Sequence, residues 1–330
     1  MKALVTGGGG FLGKAIVGQL LARGDTVRSY SRGEYPELCA LGVETFQGDL
    51  ADADALDRAA DGCDVVFHVA AKADVWGRYA DFYQANVNGT RNVVDACLCR
   101  SVKRLVYTSS PSVAFSGEDQ NGVDESEPYP KEFLSHYPRT KALGEAIALE
   151  SNGPDLATVA LRPHLIWGPG DTNLVPRIVE RAKRGKLRIV GDGQQRIDAV
   201  YIDNAARAHV LAADALGPKA ACAGNAYYIT NDEPWAIEKV LNGILEAAGL
   251  PPVTKRVSPG VAYAAGSVFE CIYTLLGKKQ EPPMTRFVAR QLAMAHWYDI
   301  SAAKRDLGYA PDVSMDEGMR RLAESFQAKR

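Results

Sequence analysis

Thr6-Gly7-Gly8-Gly9-Gly10-Phe11-Leu12-Gly13 lies between a short apolar run, Ala3-Leu4-Val5, and an apolar helical pattern through Phe11, Ala15, Ile16 and Leu20. The glycines therefore occupy a strand-to-helix turn. Gly7, Gly10 and Gly13 let the chain turn tightly, let its backbone approach a pyrophosphate and let the helix pack closely on the strand. Free N–H groups of the first helical turn then meet the phosphate charge. A glycine turn without a ligand is the plainer reading of so short a motif. The strand and helix on either side favour a dinucleotide, contacted by Gly7, Gly10, Phe11, Leu12 and Gly13.

Downstream, residues 26–30 (TVRSY), 43–46, 65–69 (VVFHV), 104–108 and 157–161 read as strands, with helices over 86–100 and 137–150. Near-continuous apolar strands alternating with helices predict a parallel sheet covered on both faces, a doubly wound α/β (Rossmann) fold. Beyond Arg162, glycine and proline become frequent (WGPGD, 167–171), and the basic residues Arg177, Arg181, Lys183, Arg184, Lys186 and Arg188 follow. These read as a solvated helix face, one member of which can receive a substrate carboxylate. Residues 198–203 (DAVYID) and a strand at 227–230 look able to rejoin the sheet. The expected division is a dinucleotide-binding domain over 1–165 with a returning segment at about 192–230. A smaller C-terminal substrate lobe, 166–191 and 231–330, should lie over the carboxyl ends of the strands.

A chain of 330 residues can bury a large core. Its net charge of −2 makes no case for nucleic acid or for an anionic membrane as a general partner. A strand starting directly after Met1 leaves no room for a secretory leader, and the cysteines form no C-x-x-C pair. The expectation is a cytoplasmic protein with reduced, mostly packing thiols. No His/Asp/Glu cluster has metal-ligand spacing. The apolar run at 261–276 (VAYAAGSVFECIYTLL) falls short of the roughly 20 residues that span a bilayer, so no transmembrane segment is expected. Ser267, Glu270 and Thr274 share one face of it, which predicts an amphipathic helix. Its apolar face is expected to cover a greasy pocket, with docking on a membrane surface or a partner enzyme as the alternative.

The residues suited to chemistry come after the fifth strand. Tyr137 and Lys141 in Tyr137-Pro138-Arg139-Thr140-Lys141 stand four apart, one above the other on a helix face. A free phenol has a pKa of about 10 and needs a nearby cation to work as an acid–base group near neutrality; Lys141 is expected to lower it. The fifth strand ends in Tyr107-Thr108-Ser109-Ser110, where a hydroxyl can point at the same substrate oxygen. At the tip of the second strand, Ser31 and Arg32 suit a 2′-phosphate, which a guanidinium grips through two parallel hydrogen bonds. That favours NADP(H), the counter-reading being Glu34 as a displaced ribose acid.

Glycine turn, terminal serines and Tyr/Lys pair together resemble the extended short-chain dehydrogenase/reductase family, and the resemblance covers essentially the whole chain. His68-Val69-Ala70-Ala71 looks like the family's H-x-A-A stretch beside the adenosine. Asn86-Val87-Asn88-Gly89-Thr90 looks like its N-x-x-G-T helix start, and Leu161-Arg162-Pro163 with Gly168-Pro169-Gly170 like its nicotinamide-side segment. The resemblance implies Ser110 as the catalytic hydroxyl, Tyr137 as acid–base, and Lys141 as the supporting cation that also holds the nicotinamide ribose. Ser109 is then structural. It further implies cofactor contacts at Asp49 and Leu50 (adenine), Ala70 and Pro163, and a homodimer through the helices beginning near Asn86 and Tyr137. Asn86 would brace the active-site helix; an ordinary N-cap is equally compatible. Asp49 can equally cap the helix after it. His68 is expected to pack in or near the sheet, and His136 and His164 are candidates for touching substrate.

Within the family, residues 107–113 and the ending Trp297-Tyr298-Asp299-Ile300-Ser301 with Leu307-Gly308-Tyr309 look most like the 3β-hydroxysteroid dehydrogenase branch. The whole chain is similar to bacterial ketoreductases of long-chain olefin biosynthesis, which use NADPH on the 3-keto group of two-tailed β-keto acids. This implies a hydrophobic small-molecule substrate and docking to enzymes of the same pathway. A steroid or sterol-carboxylate dehydrogenase would share all the catalytic residues. A nucleotide-sugar epimerase or dehydratase and a non-catalytic dinucleotide-binding protein are the other readings.

Overall fold

The computed structural model describes residues 1–328. Seven parallel strands form the central sheet: β1 (Lys2–Thr6), β2 (Thr26–Ser31), β3 (Glu44–Gln47), β4 (Val65–His68), β5 (Arg104–Thr108), β6 (Ala157–Pro163) and β7 (Ala226–Ile229). Their order is β7-β6-β5-β4-β1-β2-β3, so the direction of winding reverses between β1 and β4. A crevice opens at such a switch point, outside the carboxyl ends of the strands. β4 and β6 are buried along their whole length, as strands covered on both faces must be. Pairing of Thr6 with His68 and with Tyr30 brings the ends of β1, β4 and β2 level at the glycine turn.

The helices that matter for the site are α1 (Phe11–Ala22), α2 (Ala53–Ala60), α3 (Gly89–Cys99), α4 (His136–Glu150), α5 (Leu174–Lys183), α6 (Ile202–Ala215), α7 (Pro259–Leu275) and α8 (Arg286–Ala293). α1 and α6 pack together on one face of the sheet, while α2, α3 and α4 cover the other. Asp52 caps α2, accepting from the Ala55 N–H at 2.9 Å, so Asp49 is not the cap that one sequence reading allowed. Strand β7 hydrogen-bonds along β6, and α6 lies under β5 with His209 Nε2 2.9 Å from Thr108 Oγ1.

Three strands beyond Pro163 join one before it in a four-stranded sheet, in the order Trp235–Ala236, Arg196–Ile197, His296–Tyr298, Gln120–Val123. The last of these comes from the loop after β5, which ties the C-terminal region to the strand carrying Ser110. Cys63, Cys97 and Cys222 are buried and Cys39, Cys99 and Cys271 exposed, all as free thiols, so only half of them serve packing. Among the described residues no helix is long and apolar enough to cross a membrane.

One element turns the opposite way from its expected orientation. α7 buries Ala262 and Gly266 and directs Glu270 at Arg286, whose Nε lies 2.6 Å from Glu270 Oε2. The face carrying Ala262, Gly266 and Glu270 thus docks on α8. The aliphatic residues Val261, Val268, Ile272 and Leu275 are exposed, and no residue of α7 lines the large cleft described next. The reason is steric: a Cβ at position 266 would sit 2.7 Å from the Thr285 carbonyl carbon. Only the small-residue face can approach α8 so closely.

Candidate active site

A cleft of about 1600 Å³ runs across the carboxyl ends of the strands. It is lined by Gly7, Gly10, Phe11, Leu12, Gly13, Ser31, Arg32, Asp49, Leu50, Ala70, Ser110, Tyr137, Lys141 and Pro163, whereas Glu34, the alternative ribose acid, lies outside its lining. Their convergence follows from the strand order, because each stands at or just past the end of β1, β2, β3, β4, β5 or β6, or on α1 or α4.

At the glycine turn, Gly7 adopts φ +71°, a region that L side chains rarely enter. A Cβ at position 13 would lie 2.1 Å from the Gly7 carbonyl oxygen, so only glycine lets α1 start this close to β1. No side chain caps α1 and no acidic residue sits in its first turn. Its leading N–H groups therefore remain available to an anion. A buried network fixes the turn: Thr6 Oγ1 accepts from the N–H groups of Val69 and Ala70, each at 3.1 Å. Thr6 Oγ1 also meets His68 Nδ1 at 2.9 Å, and His68 Nε2 meets Thr90 Oγ1 at 3.1 Å. Burial, reinforced by the Lys141 charge, lowers the His68 pKa to about 3. The imidazole is neutral and structural, as its strand position suggested.

At the β2 tip, Ser31 Oγ accepts from the Gly9 N–H at 3.5 Å while Arg32 is exposed. The Tyr35 ring covers Gly9 so closely that a Cβ there would meet it at 2.2 Å, and Lys14 Nζ stands 5.4 Å from the centre of that ring. Tyr35 lines the cleft and was not legible as a site residue. Asp49 is exposed and accepts from the Ala51 N–H at 2.9 Å, so its carboxylate shapes the turn after β3 at the edge of the cleft.

At the other end, Ser110 Oγ lies 2.9 Å from Ser112 Oγ and faces the Tyr137 phenol. Burial raises the Tyr137 pKa, and hydrogen bonding with Ser110 pulls it the other way. The sequence led us to expect a lowered phenol pKa. The difference lies in burial, the largest influence on the phenol, while Lys141 Nζ donates to the Thr108 carbonyl oxygen at 2.5 Å and sits 4.1 Å from the centre of the Tyr107 ring. Burial lowers the Lys141 pKa from its ordinary 10.5 to about 7, with Glu145 acting in the opposite sense. Ser109 is buried, with an Oγ that has no hydrogen-bond partner.

Asn86 is not an N-cap. It lies inside a π-helical turn, Gln84–Asn88, a distortion that is frequent at functional sites. Its Oδ1 accepts from the Lys72 N–H at 2.8 Å, and its Nδ2 donates to Thr140 Oγ1 at 3.0 Å. Asn86 thus braces α4 between Tyr137 and Lys141. His164 lines the cleft, buried, with its ring 4.8 Å from that of His296. His136 packs 5.4 Å from the Tyr79 ring and does not line the cleft.

Residues 4–257 match the 3-beta hydroxysteroid dehydrogenase/isomerase family. The chain belongs to this family. It is 53% identical to a 2-alkyl-3-oxoalkanoate reductase of Shewanella oneidensis, over 98% of this chain and 86% of that protein. A 2-alkyl-3-oxoalkanoate reductase of Stenotrophomonas maltophilia is 51% identical over 99% of this chain and 100% of its own. Among solved structures, a dTDP-glucose 4,6-dehydratase double mutant from Streptomyces venezuelae, with NAD bound, superposes with a TM-score of 0.78 at 25% identity. It covers 100% of this chain and 98% of its own. This member of the 3-beta hydroxysteroid dehydrogenase/isomerase family is an oxidoreductase, built on the fold of the extended short-chain dehydrogenases and reductases.

Proposed function

We propose that the chain is an NADPH-dependent reductase of the 3-keto group of long-chain 2-alkyl-3-oxoalkanoic acids, reversibly giving the 3-hydroxy acid. The observation that carries this reading is the full-length likeness to 2-alkyl-3-oxoalkanoate reductases. A hydroxyl, a phenol and an amine lining one cleft support the chemistry.

The uncapped start of α1 and the glycine cradle fit a dinucleotide pyrophosphate, with Gly7, Gly10, Phe11, Leu12 and Gly13 against it. Asp49 and Leu50 take the adenine; Ala70 and Pro163 flank the cofactor. Ser31 and Arg32 hold a 2′-phosphate, and this is the ground for NADP(H) over NAD(H). When bound, the nicotinamide supplies the hydride to the carbonyl carbon, or accepts it from the carbinol. Ser110 Oγ donates a hydrogen bond to the carbonyl oxygen as negative charge develops there. Tyr137 keeps its proton on the phenol oxygen at neutral pH, because burial holds its pKa up, and delivers it to that same oxygen. Lys141 holds the nicotinamide ribose and supports the phenol.

We assign residues 1–165 and about 192–230 to cofactor binding, and 166–191 with 231–330 to a substrate lobe. Exposed Leu98 on α3 and Leu143 on α4 support a homodimer through those helices. The reading gives the chain a cytoplasmic place in long-chain olefin biosynthesis, beside other enzymes of that pathway.

The test is spectrophotometric turnover of a long-chain 2-alkyl-3-hydroxy acid or its keto acid, comparing NADP with NAD. Turnover with preference for NADP is expected. A steroid turned over where the acid is not would overturn the assignment.

A further inference from the structure

We infer that the outward face of α7 and the loop after it dock the enzyme on an anionic lipid surface, at the mouth of the cleft. Val261, Val268, Ile272, Leu275 and Leu276 are 60%, 57%, 41%, 80% and 63% exposed. At 3.6 residues per turn these five fall within roughly 100° of arc, a single aliphatic stripe. The polar face of the helix is already engaged, Glu270 with Arg286, so the stripe is not the buried side of a helix lying the other way round.

Three observations name the occupant. Lys278 and Lys279 follow the stripe directly and are exposed, which places cations beside exposed leucines, as in segments that bind anionic lipid interfaces. Trp76 and Tyr273 stand edge to face at 6.4 Å beside them, and Trp76 Nε1 donates to the Lys278 carbonyl oxygen at 3.1 Å. Amphipathic rings of this kind favour the headgroup level. Finally, Asp74 and Val75, which immediately precede Trp76, and Glu281, just beyond the lysines, all line the cleft. A two-tailed substrate leaving a bilayer at this patch would meet the cleft without crossing water. In that last respect alone the inference rests on the reductase reading. The nearly balanced net charge conceals the patch, because it is local.

The experiment is flotation of the full chain with vesicles of phosphatidylcholine, with and without phosphatidylglycerol. Binding is expected to the mixed vesicles and to fall as salt is raised. Leu275→Ser with Leu276→Ser, and separately Lys278→Glu with Lys279→Glu, should each weaken partition by about tenfold or more. Turnover of a short-chain, water-soluble keto acid should be unchanged in both variants. That readout is separate from vesicle binding, so a failed reductase reading and a failed docking reading give different patterns. Wild-type protein that stays unbound on both vesicle types, or variants that bind as well as wild type, would overturn the inference. So would a wild-type chain that ignores vesicles but self-associates in a Leu275- and Leu276-dependent way, which would assign the face to a protein contact.

Discussion

Glu145 grips Arg162 through two nitrogens, Nε at 3.0 Å and Nη2 at 2.6 Å, with the carboxylate fully buried and the guanidinium nearly so. Tyr129 adds a third hydrogen bond to the same carboxylate at 2.7 Å. Glu145 continues the face of α4 that carries Tyr137 and Lys141, so this helix is clamped to the end of β6 one turn below Lys141.

Glu145→Gln leaves the Arg162 charge buried without a counter-ion. Removing one partner of a buried pair costs about 3–5 kcal/mol. The variant should therefore unfold at clearly lower urea concentration than wild type. It should also lose the influence that supports a charged Lys141, moving the Lys141 titration downward in the pH dependence of turnover. A stable variant with an unaltered profile would show that the clamp does not reach the active site.

Lys141 itself should reduce stability at neutral pH. Its folded-state pKa, about 7, lies below the ordinary 10.5, so between these values the unfolded chain binds more protons and stability rises with pH. The penalty is fully present below pH 7 and fades as pH climbs towards the unfolded pKa. Lys141→Met should be more stable than wild type below pH 7, with the difference shrinking in alkali, while turnover is lost. Urea midpoints across that range measure it; a stability difference that does not vary with pH would disprove the assigned shift.

Much of this site was legible because its signals are local. The glycine turn, Ser110 and the pair Tyr137 and Lys141 each occupy a few consecutive residues, and a strand or helix period says where they point. Asn86 shows the limit: the resemblance implied that it braces the active-site helix, but its partners Lys72 and Thr140 are 14 and 54 residues away, and only packing separates the brace from an ordinary N-cap. Glu145 was within reach, being four residues past Lys141 on the same face, but its partner Arg162 had been read only as a motif residue. For α7 the favoured reading, a pocket cover, failed because hydrophobic pattern alone assumes that the greasy side faces inward; the outward face agrees with the docking alternative. There, close approach of Gly266 to α8 and the Glu270–Arg286 pair outweighed the pattern.

Tyr137→Phe removes the proposed proton donor and little else, since the ring keeps its shape in the cleft wall. Turnover should fall by about 10²–10⁴-fold, while NADPH still binds, as read by quenching of protein fluorescence or by calorimetry. Near-normal turnover would sink the acid–base assignment, and loss of NADPH binding would mean that the phenol serves the cofactor instead.

The proposed preference for NADP(H) rests on Arg32. It is exposed at the β2 tip beside Ser31, and the Gln47 amide donates to its backbone carbonyl oxygen at 3.1 Å, which anchors the backbone and leaves the guanidinium to a ligand. Charge-assisted hydrogen bonds to a phosphate contribute about 1.5–3 kcal/mol. Arg32→Ala should accordingly raise KM for NADPH by about tenfold to a hundredfold, leave KM for NADH nearly unchanged and leave kcat with saturating cofactor close to wild type. Equal losses with both cofactors would show that Arg32 only supports the loop.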